Sequence, residues 1–153
     1  MQTSYSQNMP KAIAGTFYDI SPRRVDSYVV ESGTIYPGMG VIAGTDVEKQ
    51  VKLPSATTTT IKGIALLQAR EQNDDGSVTY LAKDTVPILD KGRAWVPVTG
   101  AVTADAQAYL VFSGADTGKW AAAAGAGPIA SAITGAKFRT STTGAGLAVV
   151  ELN

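Results

Sequence analysis

Apolar stretches in this chain are short, and nearly every one is cut within a few residues by glycine, proline or a cluster of Ser, Thr, Asn and Asp. A helix of ordinary length needs about three uninterrupted turns, whereas a strand needs only about five or six residues, so this punctuation selects β-structure. The candidate strands are Ala12–Tyr18, Val25–Val30, Val41–Ala43, Gln50–Leu53, Ile61–Leu67, Val78–Leu81, Val86–Leu89, Ala94–Val98, Tyr109–Phe112, Lys119–Ala122, Lys137–Thr140 and Leu147–Leu152. Tyr36-Pro37-Gly38 places Pro and Gly at the central positions of a type II turn. Asn73-Asp74-Asp75-Gly76 reads as the turn of a hairpin between Ile61–Leu67 and Val78–Leu81. The Ala-rich stretch from Ala121 to Ala136 has room for a turn or two of helix, but Gly125, Gly127, Pro128 and Gly135 interrupt anything longer. The expected fold is all-β: a compact β-barrel or β-sandwich of short antiparallel strands. Residues 1–10 are polar, end at Pro10 and suit an extended N-terminal arm; residues 11–153 form one β-rich domain.

Chemistry is constrained by what is missing. The 153 residues contain no histidine and no cysteine, the side chains that most often carry nucleophilic, proton-transfer or metal-binding roles near neutral pH. Thirteen basic residues balance thirteen acidic ones, so no overall basic field favours nucleic acid or an anionic membrane. The first residues lack the basic head and apolar core of a signal peptide, and no later stretch approaches the length of a membrane span. Gly114–Lys119 superficially resembles a phosphate-binding loop, but its glycine spacing is one residue short and Trp120 stands where Ser or Thr would hold magnesium. It reads as a hairpin turn. The Asn73–Gly76 turn lacks the alternating oxygen ligands and distal Glu of a calcium loop. A two-carboxylate mechanism would draw on Asp84, Asp90 or Asp105 with Glu31, Glu48 or Glu71, yet each sits beside a turn and reads as a solvated carboxylate. No catalytic residue, cofactor or metal site is expected.

Binding surfaces are the remaining option. Trp95, Tyr109 and Phe112 lie in strand-like runs and are expected in the core, together with Val149. Trp120, between Gly118-Lys119 and an Ala run, is a candidate exposed anchor. The Arg23-Arg24 doublet after Pro22, Tyr36 on its turn, and Tyr5 and Met9 in the arm complete the candidate interface set.

Three blocks carry a family resemblance. Val51-Lys52-Leu53-Pro54 with Gly63-Ile64-Ala65-Leu66 resembles the "VKLP…G(V/I)AL" segment of tailed-bacteriophage capsid cement, or decoration, proteins. Asp84–Leu89 through Gly92–Val98 to Ala101–Asp105 and Tyr109-Leu110 is similar to that family's central hairpin, and Gly135–Thr140 with Gly146–Leu152 is similar to its terminal hairpin. The chain departs at Ala104-Asp105-Ala106-Gln107-Ala108, where such proteins commonly have a Gly-Asp turn. The resemblance runs from about Ala12 onward. It implies an all-β structural virion protein without catalytic residues, made in the bacterial host cytoplasm and bound to the outer capsid surface. Its implied partners are the phage major capsid protein and further copies of itself, as a dimer or trimer, with no nucleic acid and no membrane. The alternative is another β-rich virion component, such as a tail, baseplate or host-glycan-binding protein.

Overall fold

A computed structural model describes residues 12–68, 77–125 and 129–153. Eleven strands run in chain order: β1 Arg24–Val30, β2 Thr34–Ile35, β3 Gly40–Ala43, β4 Gln50–Lys52, β5 Gly63–Ala65, β6 Tyr80–Leu81, β7 Thr85–Val98, β8 Gln107–Val111, β9 Trp120–Ala121, β10 Ala130–Phe138 and β11 Gly146–Leu152. There is no helix among the described residues, and the fold is all-β as the sequence predicts.

Nine strands hydrogen-bond in the order β1-β4-β3-β5-β7-β11-β10-β8-β9, and two further pairings, β1 with β7 and β7 with β9, bend this sheet back on itself twice. The result is two small closed rings that share β7. Its first half is flanked by β1 and β5, with Val25 and Ile64 both opposite Leu89. Its second half is flanked by β11, with Val149 opposite Trp95, and by β9, with Trp120 opposite Val98. Closure pairs backbone groups that an open sheet would leave exposed at its edges. Most pairings are antiparallel, but β1–β4 and β7–β9 are parallel.

Each ring has its own core. Val30, Val41, Val51, Val86 and Ile88 fill the first, together with Ile35 and Tyr80 from the small β2–β6 sheet. Leu89, Ala94, Val96, Val98, Leu110, Trp120, Phe138 and Val150 belong to the second. Fully burying one such Val, Leu or Ile side chain stabilises by about 1.5–3 kcal/mol.

Several sequence expectations are corrected. The central block is not a hairpin: Asp90-Lys91-Gly92-Arg93 looks like a turn, but Gly92 takes φ 126° inside one continuous 14-residue strand. The hairpin expected between Ile61–Leu67 and Val78–Leu81 does not form, because β5 pairs with β3 and β7 while β6 pairs with β2. Its Asn73–Gly76 turn lies outside the described residues. The Ala-rich stretch gives β9 and the start of β10 rather than helix. Segment 12–18 is not a full strand; it lies along β7 through one bridge, Phe17 with Ala94, and through the Gly15 amide donating to the Trp95 carbonyl (2.8 Å).

Local turn chemistry follows the sequence more closely. The Met39 amide donates to the Tyr36 carbonyl (3.2 Å) across Pro37 and Gly38, whose φ is 86°, as a type II turn requires. The Gly114–Lys119 loop joins β8 to β9 as a hairpin, with Gly118 donating to the Val111 carbonyl (2.9 Å). Where the glycine of the family turn is missing, Asp105 itself adopts φ 65°, a conformation Asp tolerates better than most residues. The terminal hairpin is present, with Lys137 opposite Glu151 and Phe138 opposite Val150.

Candidate functional site

Trp120 is not a surface anchor. Its side chain is fully buried, its Nε1 donates to the Gly38 carbonyl (3.2 Å), and the absence of a side chain on Gly40 leaves room for the indole. β9 holds it there: Leu110 and Val98 flank it on the two neighbouring strands. The Gly118-Lys119 turn before it suggested exposure, yet the turn ends one residue earlier and the chain dives into the second ring. Trp95 and Val149 are buried as expected, but they sit opposite one another and belong to neither core cluster. Tyr18 stands edge-on against Trp95, with ring centroids 5.6 Å apart.

Arg23, Arg24 and Tyr36 are on the surface. The Arg23 guanidinium lies over the Phe17 ring, 4.2 Å from its centroid. Arg24 forms a forked pair with Asp90, with contacts of 2.7 and 2.8 Å. Tyr36, 44% exposed, lines an apolar groove of about 640 Å³ with Ile13, Met39, Val78 and Pro97. A smaller groove formed by Phe17, Val25 and Pro87 meets it at Leu67. Segment 13–17 thus connects the Tyr36 groove with the arginine doublet. Tyr5 and Met9 lie outside the described residues.

Two features escaped the sequence reading. The first is Ile20, 97% exposed at the tip of the loop between segment 12–18 and β1. Its signal was an apolar residue set between Asp19 and the Ser21-Pro22 turn. The second is Glu151, an acid inside the apolar run of β11 and only 8% exposed. Arg139 Nη2 donates to its Oε1 (2.7 Å), Arg139 Nε (3.1 Å) and Arg93 Nε donate to its Oε2, and the chain of pairs continues from Arg93 to Asp19 (2.9 Å) and from Arg139 to Asp105 (2.5 Å). This ladder runs across β7, β11 and the turns beside them.

Hydrogen bonds from Arg139 hold the Glu151 carboxyl at about 2, against an ordinary 4.5; burial opposes the shift and Arg93 adds to it. A depressed folded-state value contributes stability that is present above the unfolded value and lost as pH falls through the folded one. Asp19, hydrogen-bonded by Ser21, and Glu31, hydrogen-bonded by Thr45, are also lowered. Glu151→Gln is therefore expected to cost most stability at neutral pH, with the difference from wild type shrinking below about pH 4.5 and vanishing near pH 2. Urea unfolding across that range checks this; a constant difference would refute the linkage.

Four of the carboxylates considered for catalysis are otherwise engaged, Glu48 is exposed on a turn, and Glu71 lies outside the described residues. Asp90 and Asp105 are paired with arginines, Asp84 accepts from the Leu81 amide (2.8 Å), and Glu31 accepts from the Thr45 amide (2.9 Å) and pairs with Lys52 (3.2 Å). Among the described residues no group of three or more acidic side chains could hold a metal ion.

The family model for the structural cement protein (E217 gp24/Pam3 gp6) matches residues 1–153, the whole chain. The chain belongs to the phage structural cement protein family. Its fold is shared with a chain in the structure of the capsid of Myoviridae phage XM1, at TM-score 0.81 and 21% identity, with 100% of this chain and 97% of that one covered. No curated protein sequence is significantly similar. As a cement-family member the protein is a structural, capsid-associated component of a phage virion.

Proposed function

We propose that this cement protein binds the outer surface of the phage head and reinforces contacts between major capsid subunits, without catalysing a reaction. The observation that carries this reading is the family match over the full length of the chain. Physics supports it: a subunit that clamps a pressurised shell must keep its shape, and two closed rings on one shared strand leave few backbone groups free to yield. A subunit touching several neighbours needs only modest patches, because linked contacts raise avidity by about a hundredfold or more without any single strong one.

The proposed contact set is Arg23, Arg24 and Tyr36 on the described surface, with Tyr5 and Met9 in the 1–10 arm reaching adjacent subunits. The protein acts as a homo-oligomer, dimer or trimer, so that each assembly engages more than one capsomer. Purified protein added to heads that lack it is expected to decorate them to saturation. Deleting residues 1–9 is expected to leave the melting temperature unchanged and to weaken occupancy by about tenfold in a dilution series, the loss of one of several linked contacts. Equal occupancy of the truncated chain would remove the arm from the mechanism. Failure of the full chain to bind heads would remove the cement reading.

A further inference from the structure

Ile20 is almost fully exposed, yet its loop is fixed on both sides. Before it, the Tyr18 amide donates to the Arg93 carbonyl (3.1 Å), the Tyr18 ring rests on Trp95, and Asp19 pairs with Arg93. After it, the Ser21 amide and hydroxyl both bond back to Asp19, Arg23 lies on Phe17, and Arg24 grips Asp90. Single exposed apolar residues are common on protein surfaces. A rigid loop that holds one out into water is different, because an ordered anchor loses little further freedom on binding. Phe17, Tyr18 and Val25, each about two-fifths exposed, extend the apolar surface around it.

The charges at its base decide what the partner must offer. Asp19 is taken by Arg93 and Asp90 by Arg24, while Asp26 is exposed on β1 and forms no ion pair among the described residues. Arg23 and Lys91 have no carboxylate partner among the described residues. Lys91, Arg93 and Glu151, the last already held by Arg93 and Arg139, line a hollow of about 250 Å³ beside Ser21 and Pro22, at the foot of the loop.

We propose that Ile20 is the central anchor of a protein interface and fills an apolar pocket whose rim carries carboxylates that meet Lys91 and Arg23. The inference rests on the cement reading, which makes the partner the major capsid protein. Hot-spot residues of this kind sit within a ring of polar contacts that keep water out, and the rim charges govern salt dependence and encounter rate.

The test is occupancy of undecorated heads by full-length variants over a dilution series at low and high salt. Ile20→Ser is expected to bind about tenfold to a hundredfold more weakly at unchanged melting temperature, as loss of one buried isoleucine implies. Val47→Ser, which alters another exposed apolar residue (58%) in a loop between β3 and β4, is expected to bind like wild type. Lys91→Glu is expected to weaken binding at low salt, with the difference fading at high salt. Wild-type occupancy by Ile20→Ser, or an equal loss from Val47→Ser, overturns the anchor while leaving the cement reading intact. A lowered melting temperature of Ile20→Ser overturns it as well, since the residue would then serve the fold. If Ile20→Ser changes the sedimentation of the free protein, the pocket belongs to a second copy and the assignment to the capsid fails. Salt-independent binding of wild type and Lys91→Glu alike overturns the acidic rim. If wild type binds no heads, both readings fall.

Discussion

Trp120→Ala is expected to lower folding stability by about 3–5 kcal/mol, the range for removing a large aromatic side chain from a packed core. The indole is fully buried in the second ring, and its removal also strips the Gly38 carbonyl of a buried donor. Leu110 and Gly40 frame the resulting cavity, and both lie on strands whose pairings hold them in place, so collapse around it is limited. Trp120→Phe keeps part of the ring and loses the hydrogen bond, and is expected to cost less than half as much. Urea denaturation of the two variants checks the order. A surface tryptophan would show neither loss.

Gly63→Ala is the second large effect. A Cβ at this position would stand 2.1 Å from the Leu89 carbonyl oxygen and 2.7 Å from Ile88 Cγ2, and the backbone sits at φ 151°. The conformational strain is expected to cost about 1–3 kcal/mol, and the overlap with β7 about as much again. β5 cannot retreat from the clash without giving up its pairing with β3, where Gly40 faces Ile64. Gly100→Ala, where nothing lies within 4 Å of the added atom, is the matched control and is expected to be near neutral. Comparable melting temperatures for the two variants would contradict the close approach of β5 and β7.

The outcome of the sequence reading divides along physical lines. Strands bounded by strong turn chemistry were legible: the Pro37-Gly38 turn, the Gly114–Lys119 hairpin and the pairing of Lys137–Phe138 with β11 all depend on nearby residues. Long-range choices were not. Gly92 carries the same local signal whether the chain reverses or passes on through a bend, and only the partners on either side, Leu152 and the β1 strand near Arg24, decide for passage. Tyr80 reads as one side of a hairpin, yet its hydroxyl donates to the Leu66 carbonyl (2.7 Å) while its strand pairs with β2. The candidate site followed the same division. Arg23, Arg24 and Tyr36 are exposed, as residues beside turns commonly are. Trp120 was misjudged because a turn signal says where a chain reverses and nothing about the depth at which it resumes. Ile20 and Glu151 break the local pattern, one apolar in a turn and one charged in an apolar strand; the break at Glu151 marks its pairing with Arg139 and Arg93, and the break at Ile20 is the one the proposed anchor accounts for.

The sharing of β7 has a mechanical consequence. Two barrels joined by a linker can tilt against each other, and two joined by a packed interface can slide. Here the connection is the covalent backbone of one strand, hydrogen-bonded along its length into both rings. Neither ring can open its wall at β7 without loosening the strand on which the other closes. Strain entering near Arg24 and Asp90 therefore passes along peptide bonds toward Trp95 and Val98, so a load on one ring is carried into the other through a continuous strand and not across a linker.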